Sequence, residues 1–454
     1  MLKLSATARL LNGTHSGPDR EFTSVGTDSR VITPGMLFVA LKGDRFDGHD
    51  YVTNVLTNGA NGALVSSDFA AVHPDLPLVA VADTKLALGK LAAAWRQNFH
   101  LPLIGITGSN GKTTVKEMVA AILRADFGQN AVLATTGNLN NDIGLPLTLL
   151  KVRSAHRAAA IEMGMNHPGE IAYLTAITRP TVALVNNAQR AHLAGLGTLM
   201  DVARAKGEIF GGLAEDGVAV INSDDPHAAF WRELNAGRHV ISFGFFKDAD
   251  VRATRIEKNF GSELELVTPQ GNASLFLPVP GEHNARNALA ATAACLAAGV
   301  PLAAIVRGLS HYAGVKGRLQ QKPGRNGARI IDDSYNANPD SMRAAIDVLS
   351  ALPGRRIFVM GDMGEVGESA GQLHDGIGGY AKSMGLEHLF ALGEKSVAAV
   401  HNFDGGARHF QSVESLVAAL LPMLDPDTTV LVKGSRFMRM ERVVESITEQ
   451  SHAA

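Results

Sequence analysis

Residues 105–114 read GITGSNGKTT, and this run restricts the fold more than any other stretch of the chain. A short apolar run, 101–106, precedes it, and the apolar residues of 115–127 recur at helical spacing. Strand, glycine-rich turn and helix are the context in which a phosphate-cradling loop can be believed. Gly108 and Gly111 let backbone N–H groups approach phosphate oxygens with no Cβ in the way. A helix starting near Lys112 adds the positive end of its dipole and its unpaired N–H groups. Lys112 is expected to reach the β- and γ-phosphates and the Thr113 hydroxyl to ligate Mg²⁺, with Thr107, Ser109 and Asn110 completing the loop. Ile106 stands where the common G-x-x-x-x-G-K-T pattern has glycine, so the loop is of a variant class.

A chain of 454 residues is too long for one hydrophobic core, and two or three domains are expected. With 46% hydrophobic and 19% charged residues, the composition is that of an ordinary globular protein. A net charge of −2 provides no electrostatic footprint for nucleic acid or an anionic membrane. Cys295 is the single cysteine, which rules out an intrachain disulfide or a cysteine metal cluster and fits a reducing cytosol. The first residues lack the apolar core of a secretory signal, and the weakly polar stretch 288–306 is broken by Gly299 and Pro301. The expectation is a soluble, cytoplasmic protein with no nucleic-acid or membrane partner.

In chain order, residues 1–83 alternate apolar runs (36–41, 62–66, 78–81) with two polar clusters, TDSR at 27–30 and GDRFDGHD at 43–50. Arg30 could pair with a diphosphate, and Asp47 and His49 could hydrogen-bond a sugar or base; turn chemistry and solvated charge explain the same residues equally well. Thr84 is read as the cap of a helix over 85–98. Strand-like runs at 101–106, 131–135, 158–161, 182–185, 218–221 and 240–243 alternate with helical stretches, predicting a parallel sheet with helices on both faces. Three consecutive strands with hairpin turns follow (251–257, 263–268, 273–278), then helices over 284–298 and 302–312. From 328 the βα alternation resumes, predicting a second open sheet with Asp332-Asp333, Gly361-Asp362 and residues 433–436 at its carboxyl ends, where such sheets hold ligands.

Three further residues could serve the phosphate loop. Glu162 follows the run 158–161 at a strand's carboxyl end, and a carboxylate there suits Mg²⁺. His192, in a loop, and Lys206, mid-helix in DVARAKGEIF, would by themselves be read as structural or solvated. Together with TDSR, GDRFDGHD, GITGSNGKTT, TTGNLNNDIGLP (135–146), IEMGMNHPGE, NNAQRAHL, ARAKGEIF, GEHNARNALAA, GVKGRLQ, DDSYNANPDSM (332–342), MGDMGEVGE and KGSRFMRM, they make the whole chain resemble the Mur ligases of peptidoglycan synthesis.

That resemblance implies an α/β protein of three domains. They are a small UDP-substrate-binding α/β domain (1–83), a central P-loop parallel-sheet ATPase domain with an antiparallel appendage (84–313), and a C-terminal Rossmann-like ligase domain (314–454). It implies ATP and Mg²⁺, two ions, as cofactors, with Thr113, Glu162, His192 and Lys206 as metal ligands, the last as an N-carboxylated lysine. Lys112, Glu162, His192 and Lys206 become catalytic residues. Asn284 and Asn287 are assigned to the adenine, Asp333 to the ribose and Arg318 to the phosphates. Asp28, Ser29, Arg30, Asp47 and His49 go to the uridine-nucleotide side, and Asn140 and Asn338 to substrate. The last three motifs point to the family member that joins D-alanyl-D-alanine to UDP-N-acetylmuramoyl-tripeptide, acting as a monomer. The rivals are the preceding ligase, which adds the third amino acid, and a P-loop nucleotide switch without ligase activity. Against the first, the asparagine–proline pair of NANPDS has no arginine after Pro339.

Overall fold

The computed structural model describes residues 1–190, 197–246, 248–258, 260–364 and 366–449. The apolar run ahead of the glycine-rich turn forms the strand Leu103–Thr107, buried at every residue. It lies inside a six-stranded sheet in the order His239–Phe243, Val218–Asn222, Val182–Val185, Leu103–Thr107, Ala158–Glu162, Val132–Ala134. All five pairings are parallel. Near-continuous apolar strands require cover on both faces. Helices Lys112–Phe127, Glu282–Ala297 and Leu302–Ser310 contribute to the core on one face, and Thr84–Arg96, Glu170–Thr178 and Leu199–Gly207 to the core on the other. Ile106, in place of the usual loop glycine, is a fully buried residue of the first core. The hairpin region forms a three-stranded antiparallel sheet (Arg252–Lys258, Gly261–Thr268, Gly271–Leu277) that packs its alternate apolar residues into that core.

Ahead of this sheet lies a five-stranded one, Thr14–Ser16, Leu78–Val81, Gly62–Ser66, Met36–Val39 and Ser24–Gly26 in that order. The helix Thr84–Arg96 belongs to a core shared between this sheet and the central one. Its cap differs from the sequence reading. Asp83 is the N-cap and its carboxylate accepts from Leu86 N at 2.9 Å. Thr84 is the first helical residue, and its hydroxyl donates instead to Ala40 O at 2.8 Å, tying the helix to the preceding sheet.

The third of the larger sheets, and the last in chain order, has six strands in the order Gln320–Pro323, Arg329–Asp333, Thr428–Lys433, Arg355–Gly361, His388–Leu392, Ala407–Phe410. The two edge strands were not expected. The first, QQKP, has no apolar alternation and pairs antiparallel with Arg329–Asp333, with its proline tolerated at an edge. The second carries one buried residue, Phe410. The parallel register brings Asp333 opposite Lys433 and Met360 opposite Lys433, so the carboxyl ends of three strands converge. No helix among the described residues is long and apolar enough to cross a membrane.

Candidate active site

The loop after Leu103–Thr107 is shaped by its glycines and held by an asparagine-rich segment. Gly111 has φ +79, and a Cβ there would lie 2.4 Å from Asn287 Oδ1, so a side chain is excluded on two grounds. Residues 186–189 underpin the loop. Ser109 N donates to Asn187 O at 3.0 Å and Asn110 N to Asn187 Oδ1 at 2.9 Å. Asn186 Nδ2 donates to Asn110 O at 2.9 Å and to Asn287 Oδ1 at 3.0 Å. Gln189 N donates to Ser109 Oγ at 2.9 Å, and Asn110 Nδ2 to Gln189 Oε1 at 2.7 Å. The role of Asn186, Asn187 and Gln189 was not anticipated; the signal was a polar run, NNAQ, directly after a strand. Lys112 opens the helix, and its Nζ donates to Gly108 O at 2.6 Å and Ser109 O at 3.1 Å.

Glu162 ends the strand Ala158–Glu162 and is 2% exposed. Its backbone N–H donates to Thr135 Oγ1 at 3.0 Å, and its Oε1 accepts from Asn140 Nδ2 at 2.8 Å. Its Oε2 is buried with no hydrogen bond among the described residues, a costly state for a carboxylate oxygen unless a ligand meets it. Lys116, fully buried one turn into the loop helix, donates to Thr135 O at 2.7 Å and to Glu117 Oε1 at 2.5 Å. It thereby ties the loop helix to the residue that holds Glu162.

Lys206 lies on Leu199–Gly207 and is 1% exposed. Burial, helped by the like charge of Lys112, pushes its amine well below the ordinary lysine range. The neighbouring carboxylate of Glu208 is engaged elsewhere, accepting from Gly169 N at 2.8 Å and Ala172 N at 3.0 Å. His192 lies outside the described residues.

The third sheet closes over the loop. Arg318 Nη2 donates to Thr113 Oγ1 at 3.1 Å, and its guanidinium stacks 4.5 Å from the Tyr335 ring centroid. Asp333 accepts from Lys433 Nζ at 2.5 Å and from Leu319 N at 3.2 Å, contacts that counter the upward push of burial on its carboxyl. Asn338 caps the helix Pro339–Ser350 and donates from Nδ2 to Asn110 Oδ1 at 2.7 Å. Arg190 donates from N and Nη2 to Asp340, both at 3.0 Å.

A cavity of about 950 Å³ results, lined by Ser109–Thr113, Asn140, Glu162, Arg318, Asp333 and Asn338 together with Lys85, Asp142, Tyr335, Lys433 and Arg436. Thr107, Gly108, Lys206, Asn284 and Asn287 are not in its lining. Asn284 Nδ2 donates to Pro280 O at 2.8 Å, and Asn287 faces Asn186. Asp28, Ser29, Arg30, Asp47 and His49 are not in the lining either. Arg30 is paired in bidentate fashion with Asp28 (2.9 and 2.8 Å), which holds that carboxyl down to about 2. His49 Nδ1 meets Asp47 Oδ1 at 2.5 Å while Nε2 accepts from Ser66 N at 2.9 Å, so both ring nitrogens are occupied within the fold.

Three family models match in order: the Mur ligase family catalytic domain over 21–96, the Mur ligase middle domain over 106–295, and the Mur ligase glutamate ligase domain over 317–436. UDP-N-acetylmuramoyl-tripeptide–D-alanyl-D-alanine ligase of Escherichia coli K12 is 44% identical over 98% of both chains. A structure of UDP-N-acetylmuramoylalanyl-D-glutamyl-2,6-diaminopimelate–D-alanyl-D-alanyl ligase from Acinetobacter baumannii superposes with a TM-score of 0.87, at 38% identity and 97% coverage of each chain. MurF ligase from Thermotoga maritima in complex with ADP gives 0.80 at 27% identity, covering 93% of this chain and 96% of that one. The cavity, its loop and these likenesses agree over the full length: the chain belongs to the Mur ligase family.

Proposed function

We propose that this chain is an ATP-dependent ligase that joins D-alanyl-D-alanine to the terminal carboxylate of UDP-N-acetylmuramoyl-tripeptide. The observation that carries the reading is the juxtaposition of a phosphate loop, a buried carboxylate with a free oxygen and the carboxyl ends of a second sheet around one cavity. The chain is read in three parts, 1–83 for the UDP substrate, 84–313 for ATP and 314–454 for closure over both.

The chemical problem is a poor electrophile. Attack of the tripeptide carboxylate on the γ-phosphorus breaks the bond to ADP and forms an acyl phosphate. The dipeptide amine then attacks the acyl carbon, a tetrahedral intermediate collapses, phosphate leaves and the amine proton is lost. Two anions must meet in the first step. Lys112 and Arg318 supply positive charge at the phosphates, where it counts most as charge shifts toward the leaving oxygen. Tyr335, stacked on Arg318, fixes the plane of that guanidinium.

The free, buried Oε2 of Glu162 and the Thr113 hydroxyl fit a hard cation that takes few protein oxygens and several from phosphates. Bound there, Mg²⁺ would screen the phosphate charge. Lys206 is proposed to bind CO₂ through its neutral amine, forming an N–C bond and losing a proton. Its burial favours the neutral form, and the carboxylate of Glu208 is turned to the backbone N–H groups of Gly169 and Ala172. His192 remains a proposed ligand on sequence grounds. Asn284 and Asn287 are proposed for the adenine, Asp333 for the ribose, Asn140 and Asn338 for the peptide substrate. The 27–30 and 43–50 loops are proposed for the uridine nucleotide. The reaction is assigned to the cytoplasm, where ATP is supplied.

Phosphate release is the test. It should require ATP, UDP-N-acetylmuramoyl-tripeptide and D-alanyl-D-alanine together. Equal release with ATP alone would make the chain a nucleotide switch.

A further inference from the structure

The helix after the phosphate loop carries a second lysine that the reaction proposed above does not use. Lys116 follows Thr113 by three residues on Lys112–Phe127, so the two lie on one face of the helix. Its side chain is fully buried, and its ammonium donates to Thr135 O at 2.7 Å. A buried ammonium is a poor device for stability alone, because an apolar side chain of similar volume fills the space without the cost of desolvating a charge. Its worth lies in what it holds.

Thr135 is 1% exposed, and each of its polar groups has a partner. Its N–H donates to Ala160 O at 3.0 Å, its carbonyl accepts from Lys116, and its hydroxyl accepts from Glu162 N at 3.0 Å. Further along the same segment, Asn140 holds that glutamate from the other end. Its Nδ2 donates to Glu162 Oε1 at 2.8 Å, while its carbonyl accepts from Gly164 N at 2.8 Å. A Cβ on Gly164 would lie 2.9 Å from the Asn140 amide, so this close approach requires glycine. The segment 135–140 thus clamps Glu162 at backbone and carboxylate, and Lys116 fastens that clamp to the helix bearing Thr113.

We infer that Lys116 is a positioning residue that fixes the separation between the Thr113 hydroxyl and the Glu162 carboxylate, and so makes the cation site discriminate by ion size. Mg²⁺ demands a near-ideal octahedron with short bonds, whereas Ca²⁺ accepts irregular ligand sets of varied length. A rigid pair of oxygens serves the smaller ion, and the larger one can do without it. This inference rests on the reading of Thr113 and Glu162 as cation ligands and deepens it by naming what holds them in register.

Ion binding tests it without turnover. Mn²⁺ bound to the enzyme with a non-hydrolysable ATP analogue is followed by electron paramagnetic resonance and displaced with Mg²⁺ or with Ca²⁺. The ratio of the two displacement midpoints, Ca²⁺ over Mg²⁺, cancels any general loss of Mn²⁺ affinity. In Lys116→Met it should fall about tenfold, the lower end of what outer partners of metal ligands contribute to affinity. Thr135→Val cuts the same link at the hydroxyl and should do likewise, while Thr135→Ser keeps the hydroxyl and should stay at the wild-type ratio. The double variant should fall no further than either alone, because both act through one connection. Should Lys116→Met fail to fold, Lys116→Gln, which keeps a shorter donor, is measured in its place and should lower the ratio in the same direction. An unchanged ratio in the Lys116 variant, or losses that add in the double variant, overturns the assignment. Failure of the metal reading itself looks different: Glu162→Gln would hold Mn²⁺ as tightly as wild type.

Discussion

Asn338 Nδ2 donates to Asn110 Oδ1 at 2.7 Å, joining the cap of a helix in the third sheet's layer to the tip of the phosphate loop. The contact spans 228 positions of sequence. Beside it, Asp340 in the first turn of the same helix accepts two hydrogen bonds from Arg190. One helix N-terminus is thus clasped to the loop and to the segment after the strand Val182–Val185. Closing two sheets around reactants excludes water, which an acyl phosphate cannot tolerate.

Asp340→Asn weakens the clasp without removing the Asn338 cap. It should lower kcat several-fold and raise the fraction of ATP hydrolysed per amide formed, with little change in Tm. The ratio of phosphate released to product formed is the readout; a ratio still at one would show that the clasp plays no part in excluding water.

Glu162→Gln replaces the buried, unpartnered Oε2 by an oxygen or an amide nitrogen and removes the negative charge. The variant should need much more Mg²⁺ for half-maximal rate while keeping its affinity for the UDP substrate. Titrating Mg²⁺ at fixed ATP distinguishes this from a folding defect, since excess metal then restores part of the rate. An unchanged Mg²⁺ requirement would remove Glu162 from the metal site.

For Lys206, the carbamate reading predicts that Lys206→Ala is nearly inactive and partly rescued by small carboxylic acids that fill the space. Lys206→Arg should stay inactive although it keeps the charge. If Lys206→Arg works, the side chain acts as a cation and the carbamate assignment fails.

His283 is half-buried near Lys433, Arg286 and Arg255, and desolvation followed by these like charges depresses its pKa to about 4. Between pH 6.5 and 4 the unfolded chain therefore binds a proton that the folded chain does not. Stability from this group is complete above pH 6.5 and is lost as the pH falls toward 4. His283→Gln should show a shallower fall in Tm across that window than wild type; parallel curves would show that His283 does not carry the effect.

Much of this was legible in the chain. The strand, loop and helix around Lys112 are local in sequence, and glycines with a defined conformational need, such as Gly111, announce themselves. The α/β class with its parallel sheets followed from apolar runs of strand length, because parallel strands buried on both faces leave an unbroken apolar signature. What the residues alone left open was decided by contacts between distant segments. Thr84 and Asp83 compete for one cap, and the hydroxyl's bond to Ala40 settles which residue takes it. QQKP becomes a strand only because Arg329–Asp333 offers it an edge. Nothing in the sequence around Lys116 marks it out, and only the fold sets Thr135 O 2.7 Å from its ammonium. Lys85 and Asp142 lie 57 positions apart in sequence, yet the turn at Asn141 and the start of the helix Thr84–Arg96 bring their charges to 2.9 Å. Periodicity records which face of a segment is buried. It carries no record of which other segment buries it, and that choice made the cavity.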